Sequence, residues 1–240
     1  MIRSDGRKLD QLRNISIVSD VQVFAEGSVI VETGHTRVLC AVSIEDGVPR
    51  FLQGAGRGWL TAEYNMLPRA TLTRNSREGR DRLPRGRTHE IQRMIGRSLR
   101  AAVDMGSIGE RTLTVDCDVL QADGGTRTAA VTGAYVALYQ ALLSLVKKKD
   151  FSDLPIRCAV AATSVGIVDD HVMLDLSYEE DHRASSDFNV VMTDSGDIVE
   201  VQGTAENGSF SRPDFDRVLD VAELGIAQIY KAQQRVISNF

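Results

Sequence analysis

A chain of 240 residues, 42% hydrophobic and 25% charged, is an ordinary globular protein of one large domain or two small ones, with enough apolar material for a sizeable core. Its polar, charged opening, MIRSDGRKLDQLR, excludes the apolar run of an export signal; Cys40, Cys117 and Cys158 are odd in number, far apart and in apolar surroundings, so reduced thiols and a cytoplasmic location are expected. The net charge of −5 conceals an asymmetry: Arg69, Arg74, Arg77, Arg80, Arg82, Arg85, Arg87, Arg93, Arg97 and Arg100 fall together, against only Glu78, Asp81 and Glu90 as acids. Charge runs are usually solvated faces, but one built of arginine, which grips phosphate with two nitrogens at once, suits a polyanion such as nucleic acid.

In chain order, Ile15–Val18 and Val21–Phe24 predict short strands, and Ser28–Thr33 with Arg37–Ile44 predicts a hairpin turned at Gly34-His35-Thr36. A Gly- and Pro-rich stretch with a short apolar piece at Trp59-Leu60 follows, then an exposed arginine-rich loop, Thr71–Arg85. Arg87 or Thr88 opens a helix along Ile91, Met94, Ile95, Leu99, Ala102 and Val103, with Arg87 at the end where the helix dipole favours anions.

Thr112 to Val119 alternates polar and apolar residues, a strand that should end near Gln121. Thr128–Val146 is apolar on nearly every side and closes on Lys147, Lys148 and Lys149; with Thr132, Gln140 and Ser144 interrupting it, it reads as a buried helix rather than a membrane span. Between them, Ala122-Asp123-Gly124-Gly125-Thr126-Arg127 is a tight strand-to-helix turn. Glycines let the backbone approach a ligand, N–H groups point outward at a helix start, and a hydroxyl and a guanidinium stand beside them, so the turn suits a phosphate-sized anion. A plain sharp turn with a surface arginine fits those six residues as well.

Beyond it, Cys158–Val168 and His171–Tyr178 predict strands, Glu179–Asp187 an acidic loop, and Phe188–Thr193 and Ile198–Gln202 two more strands. Ser211, with Asp214 three residues on, caps a long amphipathic helix running from Phe215 to Val236. Both halves therefore run strands then helix, about 10–146 and about 155–225, within one domain spanning 1–240. Asp181 and Asp187 flank the acidic loop and could converge on a Mg²⁺ ion, which takes one or two carboxylates plus waters and substrate phosphates; solvated turn residues are the commoner case. Neither a nucleophile–His–acid triad nor a Cys/His metal spacing is present.

Taken together, RSDGR (3–7), EGSVIVETGHTRVLCAVSIEDGVPRF (26–51), GWLTAEYNMLPRAT (58–71), GRTHEIQRMIGRSLRAAVD (86–104), DCDVLQADGGTRTAAVTGA (116–134), LDLSYEED (174–181), DFNVVMT (187–193) and VEVQGTAE (199–206) resemble the ribonuclease PH family of phosphate-dependent 3′ exoribonucleases, which trim tRNA precursors. The resemblance implies an α+β fold of the ribosomal protein S5 domain 2 type, inorganic phosphate as co-substrate, and release of nucleoside diphosphates in a reversible reaction. It implies phosphate binding by Arg87 and by Gly125, Thr126 and Arg127, and catalytic acids at Asp181 and Asp187, the same pair being the expected Mg²⁺ ligands. It further implies a homo-hexamer built as a trimer of dimers, with RNA, chiefly tRNA precursors, as partner. Arg69, Arg74, Arg77, Arg80, Arg93 and Arg97 are the expected RNA contacts. His182-Arg183 stand where the family more often has small residues, and Arg183 could pair with Asp181 or Asp187 and compete with a metal. The alternative is a non-catalytic, RNA-binding ring subunit of the exosome type, from which part of the acid and phosphate set would be expected to be missing.

Overall fold

The computed structural model describes residues 3–77, 86–206 and 208–240. The alternating apolar residues of the N-terminal half build a five-stranded sheet from β1 (Ile15–Ser19), β2 (Gly27–Thr33), β3 (Thr36–Asp46), β4 (Trp59–Met66) and β5 (Arg111–Gln121), ordered β1-β2-β3-β5-β4. β2 and β3 form the predicted hairpin, with Thr33 opposite Thr36 across Gly34 and His35. Two expectations fail here. Val21–Phe24 is not a strand: Asp20 adopts a left-handed backbone (φ 59°) that ends β1, and the following turn leaves Val23 92% and Phe24 99% exposed. The stretch after Trp59, expected to be irregular, is β4, in which Leu60, Ala62 and Tyr64 alternate into the core. β4 runs parallel to β5, and the crossover between them carries α1 (Gly86–Ala102), as a parallel pair requires.

The second sheet has the order β7-β6-β8-β9, from β6 (Val160–Val168), β7 (His171–Leu174), β8 (Ser186–Thr193) and β9 (Ile198–Ala205). β7 is shorter than predicted because Asp175 takes a left-handed φ of 53° and breaks the extended run. The chain then enters a short helix, α3 (Tyr178–Arg183), where a loop was expected; the Ser177 hydroxyl accepts from the Glu180 amide while the Glu180 side chain accepts from the Ser177 amide. The same reciprocal cap, Ser211 with Asp214, opens α4 (Arg212–Ile237) as predicted.

α2 (Thr126–Lys147) packs on β2 and β3 of the first sheet and on β6 of the second. By length and composition it could cross a membrane, yet 72% of its most apolar stretch is buried inside the fold. Its burial on both flanks accounts for its all-round apolarity. The main core joins the halves, with Val160, Ala162 and Val191 of the second sheet packed among residues of β2, β3, β5, α1 and α2. α4 covers a second cluster containing Val165, Leu174, Phe188 and Val190. Cys40 and Cys117 face one another across β3 and β5 as buried free thiols, and Cys158 is half-buried.

Candidate functional site

The turn between β5 and α2 is fixed from several sides. Gly124 and Gly125 both have left-handed backbones (φ 73° and 64°), and a Cβ on Gly124 would lie 2.5 Å from the Leu176 carbonyl oxygen, so only glycine lets the turn lie against the segment leading into α3. Thr36 Oγ1 donates to the Gly124 carbonyl at 2.7 Å and accepts from the Asp123 amide at 2.9 Å. The buried Arg13 guanidinium donates to the Asp123 carbonyl and is clamped by Asp175, from Nε to Oδ2 at 3.0 Å and from Nη2 to Oδ1 at 2.7 Å. Burial disfavours the Arg13 charge, but the Asp175 hydrogen bonds and charge outweigh it and raise its pKa. At the first position of α2, Thr126 Oγ1 lies 2.8 Å from the buried Tyr64 hydroxyl. The outcome is a rigid turn whose N–H groups open a long helix.

Arg127 is aimed by two oxygens. Its Nη1 donates to Glu90 Oε1 of α1 and to Gln202 Oε1 of β9, each at 2.9 Å. Gln202 Nε2 in turn donates to Glu200 at 2.9 Å, and Arg97 donates to both oxygens of Glu200. Among the described residues no acceptor engages the other Arg127 guanidinium nitrogens, which leaves them for an anion. Arg87, in the first turn of α1, has no ion pair among the described residues.

The carboxylates stand opposite. Asp181 projects from α3, and Asp187 from the start of β8. Asp181 keeps contact with solvent, yet the surrounding protein displaces enough water to push its pKa up, against the pull of Arg87 and Arg127. Asp187 is also raised, first by burial and then by the charge of Asp181, with Arg127 pulling down. Neither forms an ion pair among the described residues. Glu180, one position before Asp181, is buried: Arg3 reaches it from Nε to Oε1 at 2.7 Å and from Nη2 to Oε2 at 2.6 Å, with Arg7 at 3.4 Å. Burial would raise its pKa, but the Arg3 bonds, the Ser177 amide and the two arginine charges bring it below the usual value.

These elements enclose one cleft of about 1270 Å³, whose lining includes Arg87, Gly125, Thr126, Arg127, Asp181 and Asp187. The structure therefore brings together all six residues singled out for phosphate and acid roles. The expected RNA contacts are scattered. Arg74, Arg77 and Arg93 are exposed, Arg69 donates to the Leu72 carbonyl at 3.1 Å, and Arg80 lies outside the described residues. The Arg77 charge acts on Asp118 of β5, and the exposed Arg97 guanidinium pairs with Glu200. Arg183 pairs with Asp169 rather than with Asp181 or Asp187. Sequence reasoning missed Tyr64, Glu90, Gln202, Arg13 and Asp175, which hold the predicted groups in place. Their only signal was membership of, or nearness to, the blocks that carry the resemblance.

The group is also of a kind that could accept a cation. No set of three or more His, Cys, Asp or Glu side chains arranged for a metal occurs among the described residues. Two carboxylates without an ion pair among the described residues, of which Asp181 raises the cost of ionising Asp187, nevertheless meet the modest protein share of a Mg²⁺ shell, the remainder being water and substrate phosphate.

Comparison with known proteins gives matches over most of the chain. The model of the 3′ exoribonuclease family, domain 1, matches residues 11–144, and that of domain 2 matches residues 158–224. Similar solved structures include an Archaeoglobus fulgidus exosome with RNA bound to the active site, with a TM-score of 0.82 and 24% identity over 96% of this chain and 92% of that one. Rice (Oryza sativa) Rrp46 gives 0.79 and 19% over 98% and 100%, and an archaeal exosome core gives 0.77 and 23% over 98% and 90%. At those identities the likeness establishes the fold.

Proposed function

The chain belongs to the 3′ exoribonuclease family of the ribonuclease PH type, and from that premise we propose that it is a phosphorolytic 3′-to-5′ exoribonuclease. The observation carrying this reading is the shared cleft, lined by two arginines, a glycine-lined helix start and two carboxylates that have no ion pair among the described residues. Inorganic phosphate is held by Arg87, Arg127, the Thr126 hydroxyl and the Gly125 amide. One of its oxygens attacks the last phosphodiester of an RNA 3′ end. A new phosphorus–oxygen bond forms as the bond to the leaving 3′ oxygen breaks; a nucleoside diphosphate departs, and the shortened RNA keeps a 3′ hydroxyl.

Phosphoryl transfer of this type needs positioning and charge neutralisation more than covalent chemistry, which accords with arginines and acids in place of a triad. Asp187, held protonated to a higher pH than an ordinary aspartate, is suited to give a proton to the leaving oxygen, with Asp181 supporting that shift. In the alternative role, ionised, the same two residues would hold Mg²⁺, which when bound supplies neutralisation of the developing charge. Because each of these groups serves both directions, nucleotide addition from diphosphates is the reverse reaction.

Within this activity we assign tRNA precursors with short 3′ extensions as substrate, a cytoplasmic location, and a homo-hexameric ring; the sequence blocks support these finer points. A second reading is a non-catalytic, RNA-binding ring subunit. It is favoured by the similar solved structures, which are described as an exosome with RNA bound to the active site, an exosome core and Rrp46, and RNA binding is common to both readings. The complete set of six cleft residues favours catalysis.

Replacing Arg127 with Ala separates the two. Nucleoside diphosphate release measured against phosphate concentration should fall by about 10²–10³-fold, the usual cost of removing one donor to a reacting oxyanion. Unchanged turnover with unchanged phosphate dependence would remove the turn from the mechanism. RNA binding by the parent chain with no diphosphate release under any phosphate concentration would favour the ring-subunit reading.

A further inference from the structure

We propose that the rings of Tyr178 and His182 form a stacking platform for the base of the RNA's 3′-terminal nucleotide. This rests on the exoribonuclease reading and adds a subsite to it. The two side chains are one turn apart on α3; their ring centroids are 6.2 Å apart and their planes differ by only 10°. Both line the cleft, and Tyr178 is 58% exposed. The other aromatic rings of the cleft wall, Tyr64 and Phe188, are buried in the core. An aromatic pair kept parallel and in water at the edge of a polar cleft contributes little to folding, whereas a flat π surface is what an unpaired base stacks on.

The platform is also rigidly registered to the chemistry. Asp181 lies on the same helical turn, the Tyr178 amide donates to Asp123 Oδ1 of the glycine turn at 3.2 Å, and the helix is held from behind by the Arg3–Glu180 pair. Since every base has a π face, the platform would recognise that a terminal base is present without strongly selecting which one.

The test is equilibrium binding, in phosphate-free buffer, of a 5′-labelled single-stranded RNA ending either in adenosine or in an abasic residue. The parent protein should bind the adenosine-ended RNA about 5- to 150-fold more tightly, the range of stacking on one base. The double variant Tyr178→Ala/His182→Ala should bind both RNAs equally, with the parent's affinity for the abasic one, which also shows that it is folded. Tyr178→Phe/His182→Phe should restore the preference. No preference in the parent, a preference that survives the alanines, or an equal loss for both RNAs would each overturn the platform, as would failure of the phenylalanines to restore it. The measurement needs no turnover, so a chain that releases no diphosphate but still discriminates would overturn the activity and leave the platform standing.

Discussion

Behind α3, the Glu180 carboxylate is buried between Arg3 and Arg7 and capped by the Ser177 amide, and its pKa lies below the ordinary range. In front of it, the Asp181 and Asp187 carboxylates share a cleft with two arginines but have no ion-pair partner among the described residues, and their pKa values lie above the ordinary range. One short helix thus separates acids whose surroundings do opposite things to the same functional group. Where the carboxylate is paired and hydrogen-bonded, the charge holds the chain together; where partners are withheld, the charge is costly to the fold and disposed toward a ligand.

The largest effect should come from breaking the rear region. Glu180→Ala leaves Arg3 buried without its partner, which typically costs about 3–5 kcal/mol, readable by urea unfolding. The Glu180 contribution exists above the unfolded-state pKa and is lost as pH falls through the lower folded-state value, so the gap between parent and variant should narrow in acid. The front region should behave in the reverse sense. A pKa raised by folding means that the native state binds the proton more tightly. Ionised Asp187 therefore detracts from stability once pH exceeds its folded value, and that loss is absent below the ordinary carboxylate range. Asp187→Asn should accordingly raise Tm at neutral pH, by on the order of 2 °C, while removing activity, and the gain should vanish in acid. A fall in Tm at neutral pH would mean that Asp187 belongs with Glu180. The smallest effect is expected farthest from both regions: replacing the exposed Arg74 or Arg77 with Ala should shallow the salt dependence of RNA binding by about 0.7 in log–log slope for each RNA phosphate that the arginine neutralises. An unaltered slope would confine RNA recognition to the cleft.

Much of this arrangement was legible in the residues, for identifiable reasons. The alternation of β5, the all-round apolarity of α2 and the glycine pair between them are local patterns, and they predicted a strand, a tight turn and a buried helix in that order. β4 escaped because its flanking glycines and prolines signalled a loop, while its pairing with β5 depends on a crossover that no local pattern reports. α3 escaped because an apolar alternation through Leu174, Leu176 and Tyr178 mimics a strand; the left-handed Asp175 that breaks it is secured by Arg13, 162 residues away. The supports of the site, Glu90 and Gln202 on Arg127 and Tyr64 on Thr126, are likewise contacts between distant segments. Residues that act directly carry a chemical signature in sequence, whereas those that aim them acquire their role only from the fold.

The central claim is that the cleft passes the terminal nucleotide of an RNA to inorganic phosphate. It is tested most directly by incubating the protein and Mg²⁺ with a tRNA carrying extra 3′ nucleotides, with and without phosphate, and identifying what is released. The account predicts nucleoside diphosphates, formed only when phosphate is present. Nucleoside monophosphates formed without phosphate, or an RNA that is bound and left at full length, would contradict it.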